Sequence, residues 1–214
     1  MCNALSQEIV YDHFPRQKQL TSRVYNRWSL VWDFARYTNH SIYKTALELL
    51  EHQHRKVVDV GCGSGLMSAK LAASGRRVVG VDISPVMIER ARRRNEPGIA
   101  FVHGDAEKLP AADGEFDAVV NLISFHHYPD PLRAAAEFRR VLRPGGRLVL
   151  VAFDRSSLYI RSAQWMNRWL KPIAGMSWQK TSDEIKALLQ EAGFSKIEAR
   201  PVRYWIKTFA LVAE

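Results

Sequence analysis

The sequence predicts an α/β fold, an open and mostly parallel sheet wound with helices on both faces. Two observations carry that reading. Short runs rich in β-branched and other apolar residues recur at Val57–Val60, Val78–Val81, Ala100–His103, Phe116–Leu122 and Arg147–Phe153, and most are separated by stretches long enough for a helix. Helix start and stop residues fall in the gaps. Ser84-Pro85 and Asp130-Pro131 each put a capping side chain before a proline at the first helical position, Thr181 and Glu184 have capping-box spacing, and Gly75 and Gly193 sit where helices should stop.

The first strand runs straight into Gly61-Cys62-Gly63-Ser64-Gly65. Alternate glycines let the main chain bend sharply and approach a ligand without Cβ interference, and a helix starting there aims unpaired N–H groups at an anionic part of it. Cys62 reads as a small residue of the turn, and Asp59 as the group that orients the turn rather than touches ligand. A dinucleotide fingerprint needs its third glycine at position 66, which is Leu66, so a nicotinamide or flavin ligand is disfavoured. The second strand ends at Asp82, where a carboxylate can accept both hydroxyls of a ribose. The third closes on Gly104-Asp105-Ala106, and Asp105 is placed to accept the exocyclic amine of adenine.

The fourth strand carries Asn121 to the topological switch point, where its carbonyl oxygens can face the ligand, and leads into Ile123-Ser124-Phe125-His126-His127-Tyr128. His126 and His127 are the candidate bases; alternation along a strand lets one of two neighbours face the site, and His126 is preferred. Helix 131–142 then ends in Arg143-Pro144-Gly145-Gly146 before the fifth strand, and Phe194–Val202 and Trp205–Ala213 read as two more strands.

These blocks, from about residue 55 to 154, resemble the type 11 family of class I S-adenosylmethionine-dependent methyltransferases, which includes the ubiquinone and menaquinone C-methyltransferases. The resemblance implies a Rossmann-like, doubly wound, seven-stranded and mostly parallel sheet with the last strand antiparallel beside the fifth. A helical N-terminal segment and a helical insert after the fifth strand complete it. S-adenosyl-L-methionine is the implied cofactor. Gly61, Cys62, Gly63 and Gly65 would bed its methionine portion, Asp82 its ribose, and Asp105 with Ala106 its adenine, while Asn121 would face its amino group or sulfonium. Asp59, Ile83 and Met87 complete the expected shell. Tyr25 and Trp28, in Tyr25-Asn26-Arg27-Trp28-Ser29, resemble the aromatic N-terminal motif that closes over the cofactor in quinone and phospholipid methyltransferases; packing of a helix onto the core is the alternative.

A single domain is expected over 1–214, with a helical cap segment (1–56), a cofactor core (57–154), a basic amphipathic insert (155–180) and a C-terminal helix and strand pair (181–214). The net charge of +9 is distributed unevenly: the core holds 13 Lys and Arg against 12 Asp and Glu, whereas 155–180 holds five basic residues and no acid. On a helix, Leu158, Trp165, Met166, Trp169 and Leu170 share one face of that insert and its basic residues the other. It reads as a lid whose Trp165 and Trp169 contact substrate or as a helix resting on an anionic membrane surface. The Arg90, Arg92, Arg93, Arg94 run reads as a solvated complement to a helix dipole.

Met1–Tyr11 has no signal-peptide pattern and no apolar run reaches membrane-spanning length, so a cytoplasmic protein is expected, with peripheral membrane contact left open. Two cysteines make no disulfide framework, and no His/Cys cluster has zinc spacing, so no metal is expected. No Asn/Asp-Pro-Pro-aromatic tetrad follows the fourth strand, which argues against a flipped base and a nucleic-acid partner. A small or lipophilic acceptor remains, quinone-like or otherwise aromatic; the alternatives are phosphatidylethanolamine at a membrane surface and, in another class, a non-catalytic S-adenosylmethionine-binding regulator. The sequence leaves the oligomeric state open.

Overall fold

The computed structural model describes residues 16–23, 26, 39–94, 96–161 and 179–214. Tyr25, Trp28, Trp165 and Trp169 lie outside the described residues.

Seven strands form one sheet: β1 (Lys56–Val60), β2 (Arg77–Asp82), β3 (Ile99–His103), β4 (Phe116–Leu122), β5 (Leu142–Phe153), β6 (Ile197–Val202) and β7 (Thr208–Ala213). Their order across the sheet is β3-β2-β1-β4-β5-β7-β6. Every neighbouring pair from β3 to β5 is parallel, and β7 runs antiparallel to both β5 and β6. The expected fold class is therefore the observed one. Helices α1 (His40–Glu48), α2 (Leu66–Ala73), α3 (Pro85–Arg93), α4 (Pro131–Val141) and α5 (Ser182–Glu191) connect and flank the strands, and residues 16–23 are helical.

The near-continuous apolar strands are explained by burial on both faces. Val58, Val60, Val119, Leu148 and Leu150 point to one side, where they pack in a single cluster with Ala134, Phe138, Ile185 and Leu189 of α4 and α5. Their alternates Val57, Ala118, Val120 and Val149 point to the other side, against Ala46 of α1 and Met67 and Leu71 of α2. Each such Val or Leu contributes on the order of 1.5–3 kcal/mol. The helix starts follow the punctuation: Ser84 accepts from the Met87 N–H, Asp130 from the Arg133 N–H, and Thr181 with Glu184 closes a reciprocal capping box.

Three boundaries differ from the sequence reading. Helix α4 ends at Val141 and gives way directly to β5, because Phe116 pairs with Leu142 and Ala118 with Arg147, so Arg143–Gly146 loop out as an irregularity opposite Asp117. Phe194 turns inward and is buried, delaying β6 to Ile197. Residues 203–207 form the turn before β7, leaving Trp205 exposed rather than in the strand.

The arginine run is also corrected. Arg92 donates through Nε and Nη2 to the Phe101 carbonyl (3.2 and 2.8 Å), and Arg94 Nε donates to the Ser64 carbonyl at 2.7 Å. These two side chains brace α3 against β3 and the glycine turn, while Arg93 pairs with Glu89 on the exposed face. Among the described residues, no helix is long and apolar enough to cross a membrane.

Candidate functional site

The carboxyl ends of β1, β2, β3 and β4 bring most of the predicted residues to one edge of the sheet. The turn after β1 is held from outside, since its glycines have no side chains to hold it. Gly61 and Cys62 N–H groups donate to the Val81 carbonyl (2.7 and 3.1 Å), and the Gly63 N–H donates to Asp82 Oδ2 at 2.9 Å. Asp82 Oδ1 accepts from the Ser84 N–H at 2.8 Å, so this one carboxylate ties the turn to the start of α3. Burial raises the Asp82 carboxyl, and the Ser84 and Gly63 N–H groups oppose the shift. Ile83 follows at the strand end, and its carbonyl is met by His103 Nε2 at 3.1 Å and by Ser22 Oγ at 3.3 Å.

The glycines are required for space as well as conformation. Gly61, at φ +73°, leaves no room for a Cβ, which would overlap the Ser124 side chain; a Cβ on Gly65, at φ +80°, would stand 2.7 Å from the Phe101 ring. Above Gly63, at φ +54°, there is open space. Cys62 points down into a cluster with Ile88, Ala91 and Phe101, and burial pushes its thiol well up, so it packs beneath the turn. Asp59 reaches across the turn to the helix that leaves it. It is buried, accepts from Ser68 Oγ of α2 at 2.6 Å, and is pushed by burial up to about 7. Met87 is buried with its N–H capped by Ser84.

Asn121, fully buried at the end of β4, donates through Nδ2 among the Val60 carbonyl, Ser124 Oγ and Tyr128 Oη (2.9, 2.8 and 2.8 Å). Its Oδ1 is buried without a hydrogen-bond partner. The backbone turns sharply just after it: Ile123 has φ +53°, the one positive-φ residue other than glycine among the described residues. A 3-10 turn, Phe125–His127, follows. Here the sequence reading fails on geometry. Consecutive residues on a 3-10 turn do not alternate between faces, and the His126 and His127 rings lie together, centroids 3.9 Å apart. Burial lowers His126 to about 4 and also holds His127 well below the usual histidine value, with His126 beside it adding to the effect. Both imidazoles are thus neutral near pH 7, not poised to titrate there. His126 Nδ1 is buried and has no hydrogen-bond partner.

The Asp105 corner holds a feature that no sequence signal announced. Lys18, from the helical stretch 16–23, buries its ammonium 2.6 Å from both Asp105 Oδ2 and Glu107 Oε2. Burial works against that charge, but the two carboxylates outweigh it and raise the Lys18 pKa. Asp105 Oδ1 accepts the Glu107 N–H at 2.9 Å, and Glu107 Oε1 accepts the Asp130 N–H at 2.9 Å. Ala106 packs its methyl into the core. Ser84 Oγ donates to Asn26 Oδ1 at 2.6 Å, so the N-terminal residues touch this edge at three places. The edge offers a Cβ-free cradle, a buried acceptor on Asn121 and two carboxylates at successive strand ends. That set suits a ligand with a diol, amine donors and a polar end that meets backbone N–H groups.

Comparison with known proteins agrees with this chemistry. Residues 58–150 match the family model described as a methyltransferase domain. A ubiquinone biosynthesis O-methyltransferase of Cereibacter sphaeroides is 35% identical over 160 residues, which are 71% of this chain and 64% of that protein, so the chain spans less than two thirds of that relative. A demethylmenaquinone methyltransferase of Clavibacter sepedonicus is 42% identical over 101 residues, 46% of this chain and 41% of that protein. In the fold, a chain from the Haloferax volcanii complex of the Trm112 methyltransferase activator with a methyltransferase superposes with a TM-score of 0.77, at 22% identity, covering 90% of this chain and 96% of that one.

Two predictions test the electrostatics. Lys18→Met strands two carboxylates in a nearly dry corner and is expected to cost about 3–5 kcal/mol of stability; Glu107→Gln in the same chain should return much of it. An unchanged melting temperature in Lys18→Met would deny the triad a stabilising role. For Asp59 the ordinary value is 3.8 and the folded value about 7, so between those limits the folded state keeps a proton that the unfolded chain has lost, and stability falls as pH rises. Asp59→Asn removes that contribution. The melting temperature of the variant relative to the parent should climb from about pH 4 to about pH 7 and then level off; a flat difference would show an unshifted carboxyl.

Proposed function

This chain belongs to the type 11 family of class I S-adenosylmethionine-dependent methyltransferases, and on that footing we propose that it transfers the cofactor's methyl to a small lipophilic acceptor of quinone type. The observation that carries the reading is the pairing of a cradle that admits no Cβ at Gly61 and Gly65 with an unpartnered, buried Asn121 Oδ1 at the switch point. An amine donor of the cofactor would satisfy that oxygen. S-adenosylmethionine supplies, when bound, a methyl already activated on a sulfonium. The protein then has to bind, align and exclude water.

Each Asp82 oxygen holds one backbone N–H and keeps acceptor capacity for one ribose hydroxyl. Asp105 would meet the adenine amine while sharing its charge with Lys18. Gly63 opens the space above the turn for the methionine portion. His126, neutral and with a free Nδ1, would hold an acceptor hydroxyl and take its proton as the methyl arrives; the His127 ring lies against it, tilted by 44°. The two named relatives are quinone enzymes, which supports a quinone acceptor over phosphatidylethanolamine.

The direct test is transfer of labelled methyl to a prenylated benzoquinol bearing a free ring hydroxyl and to a demethylated naphthoquinol, with products identified by mass. Cofactor binding without transfer to either would favour the non-catalytic reading. Asp82→Ala is expected to weaken cofactor binding, measured by calorimetry, by about 2–4 kcal/mol. His126→Ala should lower the catalytic rate by roughly 100-fold with cofactor affinity little changed. Because burial holds His126 near 4, the acid-side fall in rate should come near that value and not near the usual 6.5. A fall centred at the ordinary histidine value would contradict the assignment of a neutral buried imidazole.

A further inference from the structure

The strained turn after Asn121 folds two hydroxyls back onto its amide. Ile123, at φ +53°, reverses the backbone, and Ser124 and Tyr128 then return to the end of β4. Four polar groups meet there: the Val60 carbonyl, Asn121 Nδ2, Ser124 Oγ and Tyr128 Oη. Together they bring four hydrogens, two on the amide nitrogen and one on each hydroxyl. The nitrogen donates one to the Val60 carbonyl at 2.9 Å and directs the other at Tyr128 Oη and Ser124 Oγ, both at 2.8 Å. Burial pushes the Tyr128 hydroxyl up, so it keeps its hydrogen, for which Ser124 Oγ lies at 3.1 Å. The Ser124 hydrogen in turn finds the Val60 carbonyl at 3.3 Å. Passing one hydrogen along each contact closes a circuit that uses all four, with the carbonyl accepting at both of its lone pairs. None is left for Asn121 Oδ1, which is buried without a partner. Turning the amide over is barred, because Oδ1 would then face the Val60 carbonyl, acceptor against acceptor.

We propose that Ser124 and Tyr128 are positioning residues whose circuit holds the Asn121 amide with Oδ1 reserved for the cofactor's α-ammonium, so that the site selects a ligand carrying that group. The proposal rests on the cofactor reading above and adds what fixes the methionine end. A buried acceptor without a donor costs free energy, and an ammonium is the kind of donor that repays it best. Hydrogen bonds in a chain polarise one another, so an amide that gives both hydrogens to the circuit presents a stronger acceptor at its oxygen. The backbone strain at Ile123 has the same result, since it is what brings both hydroxyls under the amide. Gly61 fits the arrangement too: a Cβ there would overlap the Ser124 side chain and stand 3.1 Å from Tyr128 Oη. That glycine thus makes room for the circuit, while the open space for ligand lies at Gly63.

The experiment measures by calorimetry the binding of two probes to the full chain: the demethylated cofactor, S-adenosylhomocysteine, and the same thioether without its amino group. In Ser124→Ala/Tyr128→Phe the amine-bearing probe should lose about tenfold in affinity, while the deaminated one binds as it binds the parent. Tyr128→Phe alone keeps its ring against Phe125 and Phe138 and should show the same selectivity in smaller measure. In an Asn121→Ala background the double substitution should cost the amine-bearing probe nothing further, because the oxygen that the circuit orients is gone. Equal loss for both probes, a loss that persists in the Asn121→Ala background, or no loss at all overturns the positioning role. Each of these leaves the cofactor reading standing. Failure of either thioether to bind the parent discards the cofactor reading and the positioning role with it.

Discussion

One carboxylate determines the shape of this site. Asp82 holds the Gly63 N–H on one oxygen and the Ser84 N–H on the other, joining the glycine turn, the end of β2 and the first turn of α3. Charge-assisted hydrogen bonds of this sort are about twice as strong as neutral ones. The turn has one hydrogen bond of its own, from the Gly65 N–H to the Cys62 carbonyl, and the Val81 carbonyl and Arg94 on Ser64 also anchor it from outside. A ribose held by Asp82 would thus lie against the group that shapes the bed for the rest of the cofactor. In the proposed function, binding and loop geometry would be coupled through this one side chain.

The opposite wall is tied to the same turn through Asn121. Its amide gathers the Val60 carbonyl, Ser124 and Tyr128 around one nitrogen, and Ser124 occupies the volume that a Cβ on Gly61 would need. Folding the chain back so tightly requires Ile123 to take a left-handed conformation, which costs a β-branched residue about 1–3 kcal/mol. Its N–H donates to the Val151 carbonyl at 2.8 Å, and its side chain is held in an apolar cluster, so the surrounding sheet enforces the bend.

The parts of the fold legible in the sequence are those decided locally. Strands buried on both faces read as β-branched runs, and caps such as Ser84, Asp130 and Thr181 satisfy N–H groups only three residues away. What depends on distant partners was not legible. Lys18 meets Asp105 across 87 residues, and nothing around it in sequence distinguishes it from a surface lysine. Arg92 and Arg94 look like a solvated run until the Phe101 and Ser64 carbonyls are placed beside them. Strand alternation does not extend to the histidine pair, because the backbone past the end of β4 has already become a 3-10 turn. Asp59 sits where expected, and its partner Ser68, nine residues on, belongs to the helix that leaves the turn.

The position of β7 bears on how the protein is made. It comes last in sequence among the described strands, yet it lies between β5 and β6, pairing with both. While the ribosome is still working through residues 208–213, β5 has an open apolar edge, and β6, already synthesised, has no sheet to join. An uncovered edge of Leu148, Val149, Leu150 and Val151 is the type of surface that pairs with other nascent chains. The sheet therefore closes beyond β5 only once β7 is available, so removing residues 208–213 would leave that edge unpaired and is expected to yield an aggregating product.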